Sequence, residues 1–126
     1  MLNKPHKKLT VWKKSLLLIS TVYKLTKSLP SSEKFALCSQ MRRAALSITA
    51  NIAEGAARKS FKDKIRFINI ASSSLSELDT HFEVCLVLNY FNEEDLAELN
   101  LLLTEVDKML SGLSKSYKIK HILPKP

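Results

Sequence analysis

Between Gln40 and Arg58 the chain reads Gln-Met-Arg-Arg-Ala-Ala-Leu-Ser-Ile-Thr-Ala-Asn-Ile-Ala-Glu-Gly-Ala-Ala-Arg, a run rich in Ala and long aliphatics and free of Pro. Such a run favours helix. Wound at about 100° per residue, it places Leu37, Met41, Ala44, Ile48, Ile52 and Gly55 on one face, an ordinary core stripe. A polar ribbon of Gln40, Arg43, Ser47, Asn51, Glu54 and Arg58 lies beside that stripe, and Ala50, Ala53 and Ala57 line a third sector. A surface helix of a lone bundle needs one apolar and one solvated face. A ridge of small residues as well lets another backbone approach closely, so this helix is expected to meet a partner in addition to its own core.

The remaining chain divides at its punctuation. Only two Gly and four Pro occur in 126 residues, which argues for one domain of a few long elements with short connections. The first helix is expected over about 11–27, capped by Thr10, with Trp12, Leu16, Ile19, Tyr23 and Thr26 as a heptad-like seam. Val11, Leu18, Val22 and Leu25 form a second apolar stripe beside it. Pro30 breaks the chain, and the second helix is placed at about 32–58. Ser60-Phe-Lys-Asp63 resembles a capping box and opens a third helix over about 61–89, with Ile65, Ile68, Ala71, Leu75, Leu78, Phe82 and Cys85 as its seam. Asn92-Glu-Glu-Asp95 repeats the start signal for a fourth helix over about 93–115, carried by Leu96, Leu99, Leu103, Val106, Leu110 and Leu113. Residues 118–126 read as a basic tail outside the bundle domain of residues 1–117. Four long helices joined by short links predict an all-α, up-down-up-down antiparallel four-helix bundle.

The chemistry of catalysis is not visible. Of His6, His81 and His121, two fall in expected tails, and no Glu or Asp lies three residues before any His, as a di-iron bundle would require. Glu77 and His81 could supply half a metal site, with no second His on another helix to complete it. Gly55 and Gly112 are too few for a phosphate-cradling loop, and Cys38 and Cys85 read as buried thiols. We therefore expect no enzyme, no metal and no cofactor. No apolar run approaches the roughly 18–20 residues of a membrane span, and Leu16 to Ile19 is too short for a signal-peptide core, which predicts a cytoplasmic protein without membrane contact.

Charge is the informative property. The net charge is +8, with Lys and Arg concentrated before residue 67 and after residue 107, and only acids between. This polarity suggests a polyanion-binding surface. Arg42, Arg58, Lys59, Lys62 and Lys64 are expected to cluster at the turn between helices two and three, with Lys4, Lys7, Lys8 and the tail lysines as auxiliaries. With no aromatic residue read as interleaved among them, phosphate contacts rather than base stacking are expected. Arg43, Ser47, Asn51, Glu54 and, from the next helix, Glu77 are the candidates for a hydrogen-bonded network or an oligomer contact.

Leu9-Thr-Val-Trp12, Val22-Tyr23, Leu29-Pro30, Gln40-x-Arg-Arg-Ala-Ala, Ser47-Ile48, Asn51-Ile-Ala-Glu-Gly55, Arg58-x-Ser60 and Ala71 through Leu75-x-Glu77-Leu78 together resemble one family. It is the bacterial four-helix-bundle proteins encoded in intervening sequences of 23S ribosomal RNA, and the resemblance spans about residues 9–113. That family is related to the accessory variability determinant of diversity-generating retroelements, a basic pentameric barrel that works with a reverse transcriptase and binds nucleic acid. The resemblance thus implies a homo-oligomer, a pentamer, with RNA or DNA as partner and a reverse transcriptase as a further one. Where family members often carry Gly between Ala71 and Leu75, this chain has Ser72, Ser73 and Ser74, which leaves slightly less room for close helix contact. The alternative is an oligomeric scaffold or protein-interaction module without nucleic-acid binding.

Overall fold

The computed structural model describes residues 1–124. Four α-helices make up most of it: α1 Thr10–Thr26, α2 Leu37–Ala57, α3 Phe61–Val87 and α4 Ala97–Ile122. Short 3-10 turns at Pro5–Lys8, Ser31–Glu33 and Glu94–Leu96 lead into α1, α2 and α4. Each helix packs on two others (α1 on α2 and α4, α3 on α2 and α4), and the backbones of the diagonal pairs stand farther apart. Consecutive helices joined by short connections and closed by α1 against α4 form the expected antiparallel four-helix bundle.

The seams foreseen for α2, α3 and α4 face the core. Met41, Ala44, Ile48 and Ile52 meet Ile68, Ala71, Leu75, Leu78 and Phe82 across the interior, and Leu99, Leu103, Val106 and Leu110 complete it from α4. In α1 the buried face is Val11, Leu18 and Val22, the stripe placed second, while Leu16 of the expected seam is 42% exposed. Hydroxyls explain the shift. Ser15, Thr21 and Thr26 are buried on that face, and two of them bond carbonyls of their own helix. Ser15 Oγ donates to Trp12 O at 2.6 Å and Thr26 Oγ1 to Val22 O at 2.8 Å, so each polar group is satisfied without water. Thr49 of α2 donates to Ser15 Oγ at 2.8 Å and ties the two helices together. A pattern read from apolarity alone passes over Ser15 and Thr21, while Thr26 already stood in the expected seam.

The ends of the helices show what terminates them. Thr10 is already helical, with Leu9 at the cap position and no side-chain cap. The second helix begins at Leu37 rather than near 32, because Ser31–Glu33 winds as a 3-10 turn and Ala36 leaves helical geometry at φ −113, ψ −103. Ser60 caps α3 as expected, its Oγ accepting from Asp63 N at 3.1 Å. Asn89 ends α3 in the left-handed region at φ 59. Tyr90 N–H reaches Cys85 O at 2.9 Å and Asn89 N–H reaches Leu86 O at 3.1 Å, the paired bonds of a Schellman turn. Asn92 and Asp95 exchange backbone-to-side-chain bonds of 2.9 Å before α4. The stretch expected to be a tail is helical to Ile122, anchored by buried Tyr117 packing on Phe61 with ring centroids 5.9 Å apart. Of that tail, Lys125 and Pro126 lie outside the described residues.

Candidate nucleic-acid interface

Antiparallel packing brings together the start of α1, the end of α2, the start of α3 and the end of α4. The N-terminal turn contributes Lys4, Lys7 and Lys8 and packs on α2 as well as α1. The α2–α3 turn and the first α3 residues contribute Arg58, Lys59, Lys62, Lys64 and Arg66. The last turns of α4 contribute Lys115, Lys118 and Lys120. Segments far apart in sequence thus form one basic pole, against which stand Glu54 and Asp63. Proximity is direct at its centre: Lys120 Nζ lies 6.0 Å from the centroid of the Phe61 ring and Lys64 Nζ 5.6 Å from that of Tyr117. Burial, with repulsion from the Lys120 ammonium, holds the Lys64 ammonium below its ordinary pKa.

Lys64 is therefore part of the frame of the pole. Its ammonium donates to Ala56 O at 3.0 Å and to Gly55 O at 3.4 Å, satisfying carbonyls at the end of α2 where the helix dipole is negative. Arg58 pairs with Glu54 at 3.1 Å and covers the Phe67 ring at 4.6 Å from its centroid, while Arg66 lies 5.0 Å from the same ring. Aromatic rings do accompany these cations, contrary to the expectation from sequence. Phe61 and Phe67 lie in the very segment that carries Lys62, Lys64 and Arg66, and Tyr117 comes from α4. The rings are half-buried or buried, and cations lie over them, so the pole offers charge to solvent more than open ring faces.

Arg42 belongs elsewhere. It stands sixteen residues before Arg58 on α2, roughly 24 Å away at about 1.5 Å rise per residue. There its guanidinium lies 4.4 Å from the Tyr23 ring centroid and Nε donates to Thr26 Oγ1 at 2.9 Å, clasping the end of α1. Sequence reasoning also passed over Arg66 and Lys115 as members of one patch with Arg58, and held Lys118 and Lys120 only as auxiliaries from a tail. The start of α3 and the end of α4 meet only once the bundle closes.

A family model described as 23S rRNA-intervening sequence protein matches residues 7–112. The chain belongs to this family. A crystal structure from the S23 ribosomal protein family of Bacteroides thetaiotaomicron VPI-5482, of a protein with unknown function, superposes with a TM-score of 0.77. It shares 31% sequence identity, over 84% of this chain and 99% of that one. No curated protein matches.

The polar ribbon is only partly a network in the single chain. Asn51 Nδ2 donates to Ser47 O at 2.8 Å and to Ser47 Oγ at 3.1 Å, and the Ser47 hydroxyl shares a 2.8 Å hydrogen bond with Ser74 Oγ of α3. Ser74 is thus a partner in the α2–α3 contact rather than a spacer. Arg43, Glu54 and Glu77 stay outside: Arg43 is exposed, Glu54 faces solvent with Arg58, and Glu77 lies 3.8 Å from His81. Their length lets these side chains reach water, whereas Ser47 and Asn51 are held at the α2–α3 contact. Among the described residues no group of three His, Cys, Asp or Glu could hold a metal ion, and no helix is long and apolar enough to cross a membrane.

Proposed function

We propose that this chain is a non-enzymatic, self-associating protein that holds RNA or DNA by its phosphates at the basic pole. The observation that carries the reading is the convergence of three cationic segments on one end of the bundle, with Lys64 fixed among them. A dense, exposed set of cations concentrates polyanions, and most of its binding free energy comes from counterion release. Because Tyr117 is buried and the half-buried Phe61 and Phe67 rings lie beside cations, binding should be indifferent to base identity. Self-association rests on the uncovered Ala50 and Ala57 and on the large apolar side chains left exposed by the bundle.

The test is a salt titration with structured RNA and duplex DNA, beginning near 50 mM, where phosphate contacts are strongest. Log affinity should fall linearly with log salt. Replacing Arg58, Lys59, Lys62 and Arg66 with Gln should weaken binding alike for all sequences and flatten the slope by about 0.9 for each duplex phosphate that is no longer neutralised. Circular dichroism should stay unchanged, because exposed charges add little stability. No binding at micromolar protein would overturn the proposal and leave the scaffold reading.

A further inference from the structure

At the end of the bundle away from the basic pole, the α1–α2 connection forms a pocket of about 310 Å³ with Lys27, Ser31, Lys34 and Arg42 in its wall. No carboxylate lines it. Glu33, the one acid of this connection, is engaged elsewhere, accepting from the Tyr90 hydroxyl at 2.8 Å. Among the described residues none of the three cations forms an ion pair. Arg42 is the fixed member. It is half-buried and stacked on Tyr23 with Nε spent on Thr26, which leaves its two terminal nitrogens for a ligand. Lys27 and Lys34 are exposed. The first turn of α2 stands in the same wall through Cys38 and has no side-chain cap, so the positive end of its dipole adds to the field. A second groove of about 400 Å³ adjoins, sharing Lys34 and Arg42 with the pocket and carrying Phe35, which is 88% exposed. Lys34 Nζ lies 5.4 Å from the centroid of that ring.

We propose that this pocket binds the terminal phosphate of a nucleotide, with the phosphate on Arg42, Lys27 and Lys34 and the base against the Phe35 ring. Three cations and no acid suit a phosphomonoester, close to doubly charged at neutral pH, better than a carboxylate or a phosphodiester with one charge. Arg42 supplies a planar fork for two phosphate oxygens, the lysines act as mobile point charges, and the Ser31 hydroxyl adds a neutral donor. Phe35 supplies the second half of the recognition. A ring left almost wholly in water beside the pocket offers a face on which any base stacks. The pocket is at the lower end of the roughly 300–1,000 Å³ of small-ligand sites, and the adjoining groove leaves room for the base. Two sources present this chemistry: a free nucleoside 5′-monophosphate and the phosphorylated 5′ end of an RNA strand. The site is about 24 Å along α2 from Arg58 and does not depend on the basic pole.

Calorimetric titration of adenosine 5′-monophosphate into the full chain near 50 mM salt tests this. One site per chain is expected, with Kd on the order of 100 µM, an ordinary affinity for a ligand of this size. Adenosine should not bind, and inorganic phosphate should bind more weakly than the nucleotide. Lys27→Gln with Lys34→Gln should weaken the nucleotide about tenfold or more, with circular dichroism unchanged because both lysines are exposed. Arg42 is left in place because it also clasps α1. Phe35→Ala should weaken the nucleotide about fivefold and leave inorganic phosphate as it was. The chain with Arg58, Lys59, Lys62 and Arg66 replaced by Gln should bind the nucleotide as the wild type does. In wild-type protein the nucleotide should shift amide resonances over 31–39 and leave those over 58–66 in place, a readout that needs no variant. With the pole neutralised, a short RNA bearing a 5′-phosphate that displaces the nucleotide, where its 5′-hydroxyl twin does not, identifies the strand end as a source. Displacement by neither leaves the free nucleotide as the ligand. Unchanged affinity in the double lysine variant, loss of binding in the pole variant, or no saturable binding of the nucleotide at all would overturn the site. Equal affinity for nucleotide and inorganic phosphate would overturn the role of Phe35.

Discussion

Replacing each of the chain's two glycines with alanine should change stability in opposite directions. In a helix interior Gly→Ala gains about 0.8–1 kcal/mol from propensity. At Gly112, on the exposed side of α4, an added Cβ meets nothing within 4 Å, so the full gain is expected. At Gly55 the same atom would stand 3.2 Å from Phe67 Cβ, 3.3 Å from Lys64 O and 3.5 Å from Ile68 Cδ1. Two of those are positions close to or within the α3 backbone, so α3 itself must move. Overpacking of this kind costs about 1–3 kcal/mol, which exceeds the propensity gain and leaves a net loss of about 1 kcal/mol. The two variants should thus differ by about 2 kcal/mol, or about 1 M in urea midpoint for a denaturant slope near 2 kcal/mol/M. Equilibrium urea unfolding followed by circular dichroism measures this directly. Pushing α3 away also lengthens the Lys64 hydrogen bonds to the Gly55 and Ala56 carbonyls, so Gly55→Ala should weaken any polyanion binding while Gly112→Ala leaves it alone. Equal stabilisation by both substitutions would refute the close α2–α3 approach on which the frame of the pole depends.

Arg42→Lys should destabilise by about 1 kcal/mol, because a point charge keeps neither the stacking on Tyr23 nor the Nε bond to Thr26. Arg43→Lys, an exposed control, should stay within about 0.5 kcal/mol by the same urea assay. Burial, with a smaller contribution from Glu33, raises the Cys85 thiol from 9.0 to about 11. Its contribution to stability is then full below pH 9 and lost as pH rises through about 11, since the unfolded chain gives up the proton first. Tyr90 and Tyr117, also raised, act in the same direction, whereas the lowered Lys64 opposes them up to its ordinary value of 10.5. Between pH 8 and pH 10.5, in the presence of reductant, the wild-type thermal midpoint should therefore fall more steeply than that of Cys85→Ala. Parallel curves would contradict this.

The four helices, three of their buried faces and the Ser60 cap were legible in the sequence, because each rests on local rules. Spacing sets which side chains share a face, and a hydroxyl three residues before an amide sets a cap. The family was legible too, through the block from Asn51 to Gly55 and its neighbours. The face of α1 was not, because Ser15 and Thr21 are polar by type yet buried, with Ser15 satisfied by its own helix. The extension of α4 to Ile122 was hidden for a related reason: Tyr117 is held by Phe61, 56 residues earlier in the chain. The candidate site shows the same division. The chain's charge excess is a property of composition, but its concentration at one end is a property of the antiparallel turn-by-turn return of the chain. That return places Lys120 over Phe61 and beside Lys64, and carries Arg42, which belonged to the same run of sequence as Arg58, to the other end of the bundle.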